Sequence, residues 1–191
     1  MPTESKKRIY LAGPEVFLPD AKAIGRAKVD AAAAAGFIGL FPLDGSPDLA
    51  GVDAREQARR IARGCEDMMR RADFAIANMT PFRGVSMDSG TAYEVGFMRA
   101  LGRPVLGYSN VAGDYKRRAL AFRARGIPFD DCDAPDIEIE DFGLAENLMI
   151  AAAVLDSGGT VVEQAVAPGD ELRNLDAFRH CLEQAKRLFG S

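Results

Sequence analysis

Histidine is nearly missing from this chain: His180 is the only one among 191 residues. A Ser-His-Asp triad or a histidine-rich metal site therefore has little to be built from. His180 falls in a helical pattern near the C-terminus, where packing or surface exposure is its expected role. Acid–base work in such a chain falls to carboxylates. Cysteine is scarce too. Cys65, Cys132 and Cys181 are odd in number, far apart and free of any CxxC pair, which suggests reduced thiols in a cytoplasm and no disulfide framework. No apolar run reaches membrane-spanning length, and Met1 to Ile9 lacks a signal-peptide core. A net charge of −4 argues against broad binding to nucleic acid or anionic membranes. The basic residues from Tyr115-Lys116-Arg117-Arg118 to Arg125 are expected on a solvated helix face. Nucleotide motifs are missing as well: there is no GxxxxGK[ST] and no GxGxxG after the first strand. Glu15 follows Gly13-Pro14, and an anionic side chain there suits a pyrophosphate poorly and, more weakly, a nucleotide 5′-phosphate.

What the chain does have is regular alternation. The length suits one domain, residues 1–191, with a sizeable core. Arg8 to Ala12 reads as a strand, followed by a Gly13-Pro14 turn and an alanine-rich helix over Asp20 to Ala35 that Gly36 stops. Phe37 to Phe41 reads as a second strand, Gly45 to Gly51 as loop, and Asp53 to Arg71 as a helix with arginines outside. Phe74 to Met79 reads as a buried strand, Thr80 to Gly90 as loop, Thr91 to Leu101 as helix and Pro104 to Tyr108 as strand. Asp130 to Asp141 is acidic and loop-like, with room for a short strand. C-terminal helices are expected from about residue 144, at Leu144 to Leu155 and Glu171 to Phe189. Such a pattern predicts an α/β fold: a parallel, flavodoxin- or Rossmann-like sheet with helices on both faces. Ligands of open sheets bind at the carboxyl ends of the strands. That rule gathers Tyr10, Asp44, Asp88 and Glu94 near one mouth.

The run from Met87 to Gly96 concentrates the chemistry, with two carboxylates and two glycines at a loop-to-helix junction. Thr91-x-x-Glu94 fits a capping box, Glu94 reaching back to the Thr91 N–H. A carboxylate at a helix start is also held ionised by the dipole, as attack on a sugar carbon requires. From these residues alone both roles stand.

Taken together, several segments carry a resemblance: Ile9-Tyr10-Leu11-Ala12-Gly13-Pro14, then Phe41-Pro42-Leu43-Asp44, then Ala72-Asp73-Phe74 through Thr80-Pro81-Phe82-Arg83-Gly84, then Asp88-x-Gly90-x-x-x-Glu94-x-Gly96, and Asn147-Leu148-Met149. In this order and at these spacings the chain resembles the nucleoside 2-deoxyribosyltransferases. The resemblance spans most of the chain up to about Ile150.

The resemblance implies transfer of a 2-deoxyribosyl group between nucleobases by retaining double displacement, with 2′-deoxynucleosides and free nucleobases as partners and no cofactor. Glu94 would be the nucleophile, Tyr10 its hydrogen-bonding neighbour and Asp88 a contact to a sugar hydroxyl, with an N-terminal cap on the same helix as the other role open to Asp88. Asn147 would reach the sugar from a neighbouring subunit, which implies a homo-oligomer with shared sites. Phe17 and Met149 would wall the base, and Gly13, Asp44 and Arg83 would lie with the substrate. The acid that protonates the departing base has no clear match; Asp67 and Asp73 are near, and Asp73 reads as structural. Two other functions stay open: an N-glycosidase hydrolysing nucleosides or their 5′-monophosphates, and a catalytically silent nucleoside-sensing module.

Overall fold

The structure is a computed structural model that describes residues 5–45, 48–125 and 137–189. Five strands form one parallel sheet: β1 (Arg8–Ala12), β2 (Ile38–Leu40), β3 (Phe74–Asn78), β4 (Val105–Ser109) and β5 (Val161–Glu163), in the order β2-β1-β3-β4-β5. Six helices accompany them: α1 (Ala21–Ala34), α2 (Ala54–Arg71), α3 (Ser89–Ala100), α4 (Tyr115–Arg123), α5 (Leu148–Asp156) and α6 (Asp176–Phe189). A short 3-10 helix, Pro14–Phe17, follows β1. The strand order reverses between β1 and β3, so the crevice at their carboxyl ends is the topological switch point.

Side-chain alternation along the strands builds two cores. Ile9 and Leu11 of β1, Phe74 and Ile76 of β3 and Leu106 and Tyr108 of β4 pack toward α6 and α1, with Phe178, Cys181 and Leu182. Tyr10, Ala12, Ala75, Ala77 and Val105 face the other way, against Met68 and Met69 of α2, Val95 and Met98 of α3 and Val154 of α5. The period of two is the ordinary property of a strand. Its consequence here is specific: small alanines on the second face let α3 lie close, and Tyr10 is the one aromatic that β1 presents to it.

The expected β1 is observed without change. β2 is three residues long, not five, and β3 and β4 are displaced from their expected ends by one residue. The Asp53 carboxylate caps α2, accepting from the N–H groups of Arg55 and Glu56 at 2.9 and 3.0 Å. Expected helix starts at Leu144 and Glu171 are corrected to Leu148 and Asp176. Asn147 caps the first of these, and residues 170–175 before the second are turns held by Asn174 and Arg173 backbone bonds to Asp170. β5 went unanticipated, because it is three half-exposed residues at the sheet edge. Most of the acidic stretch from Asp130 to Asp141, and Cys132 with it, lies outside the described residues; its described part, 137–141, forms no strand. Among the described residues, no helix is long and apolar enough to cross a membrane.

One glycine shows how tightly α1 is seated. A Cβ on Gly25 would lie 2.4 Å from the ring of buried Phe41. Gly25→Ala gains about 1 kcal/mol in helix propensity, yet overpacking costs about 1–3 kcal/mol. The 2.4 Å approach forces the buried Phe41 ring or helix α1 to shift, so the variant should be net destabilised, read as a lower urea midpoint with unchanged m-value.

Candidate active site

The switch point brings Tyr10 and Glu94 into direct contact. The Tyr10 hydroxyl donates to Glu94 Oε1 at 2.5 Å, across 84 residues of sequence. Tyr10 is fully buried on β1, and Glu94 reaches it from the second turn of α3. Burial lifts the Glu94 carboxyl from its ordinary range to about 7. The Tyr10 hydrogen bond opposes that rise, the charges of Asp88 and Glu15 add to it, and Lys28 opposes it. Burial, followed by the facing Glu94 charge, drives the Tyr10 phenol far upward, so it stays a donor. The Cys65 thiol, half-buried on α2, is also within hydrogen-bonding reach of Tyr10, and burial raises it too.

This geometry corrects two expectations. The helix does not begin at Thr91 with Glu94 in a capping box. It begins at Ser89, with Asp88 as the cap, its Oδ2 accepting from Thr91 N at 2.9 Å and Thr91 Oγ1 at 3.2 Å. Thr and Asp are both good caps; the choice falls to Asp88 because Glu94 is drawn inward to Tyr10. Nor does a helix start hold Glu94 ionised. Desolvation dominates, and the carboxyl is balanced between its two states near neutral pH.

The loop that ends in Asp88 is stapled from behind. Buried Glu146 accepts from Ser86 Oγ at 2.5 Å and Met87 N at 3.0 Å, and pairs with Arg118 at 3.2 Å. Arg118 also donates to the carbonyls of Val85, Gly113 and Ala145. The expectation of a solvated basic face on α4 therefore fails at Arg118, which is turned inward to hold the loop; Arg117 stays exposed.

The other predicted residues divide into three groups. Phe17 and Arg83 come together: Phe17, 54% exposed, stacks on Phe82 with centroids 5.5 Å apart, and the Arg83 guanidinium lies over both rings. Arg83 adopts φ +56°, a left-handed conformation uncommon outside glycine. Asp44 accepts from Phe41 N at 3.3 Å within a turn. It lines a cleft of about 710 Å³ with Leu43, Ile61, Cys65, Asp67 and Met68, which reaches the dyad through Cys65. Asn147 and Met149 are not joined to Glu94 within the chain by any hydrogen bond among the described residues. Asn147 accepts from Met149 N and donates to Glu140 Oε1 at 2.6 Å, and Met149 is 73% exposed. Gly13 has no room for a side chain, since its Cβ would stand 2.0 Å from Glu15 Oε2.

Asp73 accepts from Arg8 N at 2.7 Å, a strand-joining role, while exposed Asp67 pairs with Arg70. Glu15, read from sequence as an anion offered at the loop, is instead buried and paired with Lys28 at 2.7 Å. Its charge is balanced internally, so the argument it supplied against a bound phosphate lapses. Sequence reasoning missed Cys65 and Lys28 as neighbours of the dyad. Lys28 sits among alanines and reads as a solvated helix residue, with no local signal otherwise.

The nucleoside 2-deoxyribosyltransferase family profile matches residues 9–149, a span that contains Tyr10, Asp88, Glu94 and Asn147. The solved 2-desoxiribosyltransferase of Leishmania mexicana superposes with a TM-score of 0.57 and 27% identity, covering 93% of this chain and 97% of that one. A conserved protein of Enterococcus faecalis V583 shares the fold at a TM-score of 0.58 and 17% identity, covering 94% and 99%. The uncharacterized protein C191.05c of Schizosaccharomyces pombe is 29% identical over 167 residues, 80% of this chain and 79% of that one. The chain belongs to the nucleoside 2-deoxyribosyltransferase family.

A buried carboxyl with a raised pKa has a definite effect on stability. Its unfolded-state value lies near 4.5 and its folded-state value near 7, so the fold bears a cost that is full above pH 7 and vanishes below about pH 4.5. That cost is about 3 kcal/mol by linkage, an upper bound. Glu94→Gln should therefore unfold at higher urea than the parent at pH 8, with the difference shrinking steadily to near zero by about pH 4.

Proposed function

We propose that this protein transfers a 2-deoxyribosyl group between nucleobases through a covalent intermediate on Glu94. The observation that carries the reading is the buried Tyr10–Glu94 contact at the switch point. A carboxylate there, stripped of water and oriented by one phenol, is a nucleophile with little solvent to shed. In the first displacement a Glu94 oxygen attacks C1′ as the bond from C1′ to the base nitrogen breaks. The bonding pair leaves with the base, which takes up a proton. In the second, a nitrogen of the incoming base attacks C1′, loses its proton, and the Glu94 carboxylate departs. Two inversions give retention. The hydrogen bond from Tyr10 weakens while Glu94 is esterified and returns as the charge returns.

Asp88 serves a sugar hydroxyl in this reading, with one oxygen committed to Thr91. The base lies toward the cleft that Cys65, Asp44 and Asp67 border, with Phe17 and Arg83 at the rim of the neighbouring strand ends. Asn147 and Met149 act on the site of a second copy, so the working form is a homo-oligomer. The outward position of Met149 supports this, because its own chain gives it no core to pack in. The family membership and the likeness to the Leishmania 2-desoxiribosyltransferase support the class of reaction.

The test is base exchange. Purified protein with 2′-deoxyinosine and free adenine should yield 2′-deoxyadenosine, and Glu94→Ala should lower the rate by at least about a thousandfold, as loss of a covalent nucleophile does. Hypoxanthine and free deoxyribose without exchange would assign nucleoside hydrolysis instead, and release of base with deoxyribose 5-phosphate from 2′-deoxyinosine 5′-monophosphate would assign hydrolysis of the monophosphate. Binding without base release from purine or pyrimidine donors would assign a sensor.

A further inference from the structure

On the face of β1 opposite Glu94, a buried ion pair stands without an evident structural need. The side chains of Glu15 and Lys28 are both 0% exposed, with Nζ to Oε1 at 2.7 Å. The same Oε1 accepts from Asn78 Nδ2 at 2.9 Å and from the Tyr108 hydroxyl at 3.0 Å. Lys28 Nζ lies over the rings of Tyr108 and Phe178, 5.6 and 5.1 Å from their centroids. Glu15 Oε2 is buried with no hydrogen-bond partner among the described residues, and it fills the space above Gly13. Four elements thus converge on one carboxylate: the turn after β1, helix α1 and the ends of β3 and β4. A buried pair of this kind stabilises a fold no better than well-packed apolar residues of similar volume. Its position is what distinguishes it. Glu15 lies between Gly13 and Phe17 in a single turn, directly after the strand that carries Tyr10.

We propose that Glu15 and Lys28 are positioning residues for the reaction at Glu94: the pair locks the Gly13–Phe17 turn onto the ends of β3 and β4, and its two charges balance one another near the nucleophile. The proposal rests on Glu94 as the nucleophile of the proposed function. Tyr10 from β1, Cys65 from α2 and Asp88 from the cap of α3 lie on the Glu94 side of the sheet, while the charges of Glu15 in the turn and Lys28 on α1 act on Glu94 from the other side of β1. Glu15 and Lys28 act on Glu94 with opposite sign. Removing either leaves the other uncompensated in a region of low dielectric, where a unit charge is felt strongly. Removing both restores the balance.

The experiment is a pH titration of Glu94 by ¹³C NMR in protein labelled at the glutamate side-chain carboxyl, the resonance assigned with Glu94→Gln. Lys28→Met should raise the Glu94 midpoint and Glu15→Gln should lower it, each by about one pH unit, a tenfold change in ionised fraction on the acid side. The double variant should return toward the parent. The acid limb of the exchange rate should move in the same directions. Midpoints that stay in place, or that move the same way in both single variants, would overturn the proposal and leave the pair a packing feature. Should Lys28→Met fail to fold, Glu15→Gln against the double variant carries the same comparison. The titration needs no turnover, so an inactive parent protein would refute the reaction while leaving this measurement decisive.

Discussion

A carboxyl group held out of water against a single phenol sets the terms for the rest of this molecule. Left alone, such a group protonates, because the low-dielectric interior penalises its charge more than one hydrogen bond repays. The fold keeps Glu94 near the balance point, with Tyr10 and Lys28 favouring the anion and burial, Asp88 and Glu15 opposing it. That balance depends on backbone placement accurate enough for a direct contact between β1 and α3. The parallel sheet supplies it. Period-two alternation turns Tyr10 toward α3 and Tyr108 toward α1 and α6, so the two tyrosines serve opposite faces of the same crevice. One holds the Glu94 carboxyl, and the other holds the Glu15 carboxyl that anchors the turn.

The remainder of the structure limits how that crevice moves. Glu146 and Arg118 tie the loop before α3 to the segment before α5, through bonds that span 28 to 60 residues of sequence. Asp88 sits at the end of this tied loop, so its position is set by a network remote from the substrate. Breaking such a buried pair by removing one partner costs about 3–5 kcal/mol. By contrast, the exposed pairs along α2 and α6 are worth about 0–1 kcal/mol each. Loss of one partner is thus far more damaging under the site, where it strands a buried charge, than on the outer helix faces, where solvent takes the partner's place.

What could be read from the chain follows from how local each signal is. Residues 9–12 and 74–77 are continuous apolar runs, and they lie in strands as expected, the second ending one residue early. Tyr10, Asp88 and Glu94 were legible as a set because their order and spacing matched a family, and the structure places Tyr10 on Glu94. The cap was open between Asp88 and Thr91, which are equivalent as local candidates, and the structure places it on Asp88 with Glu94 turned toward Tyr10. Lys28 was overlooked and Arg118 misread for a shared reason. Both are long cations on helices whose outer faces are charged, and nothing local shows that a carboxylate thirteen residues back, or 28 residues ahead, has turned inward to meet them. β5 escaped because a half-buried edge strand of three residues carries no periodicity.

The central claim is that Glu94 bonds to the sugar. It is met most directly by mixing the protein with a 2′-deoxynucleoside and no acceptor base, quenching in acid and measuring the mass of the intact chain and its peptides. The account predicts a gain of one deoxyribosyl group, located on the peptide containing Glu94, absent from Glu94→Gln and lost on adding a free base. Turnover with retention but with the adduct on another residue, or base release with no adduct at any quench time, would contradict it.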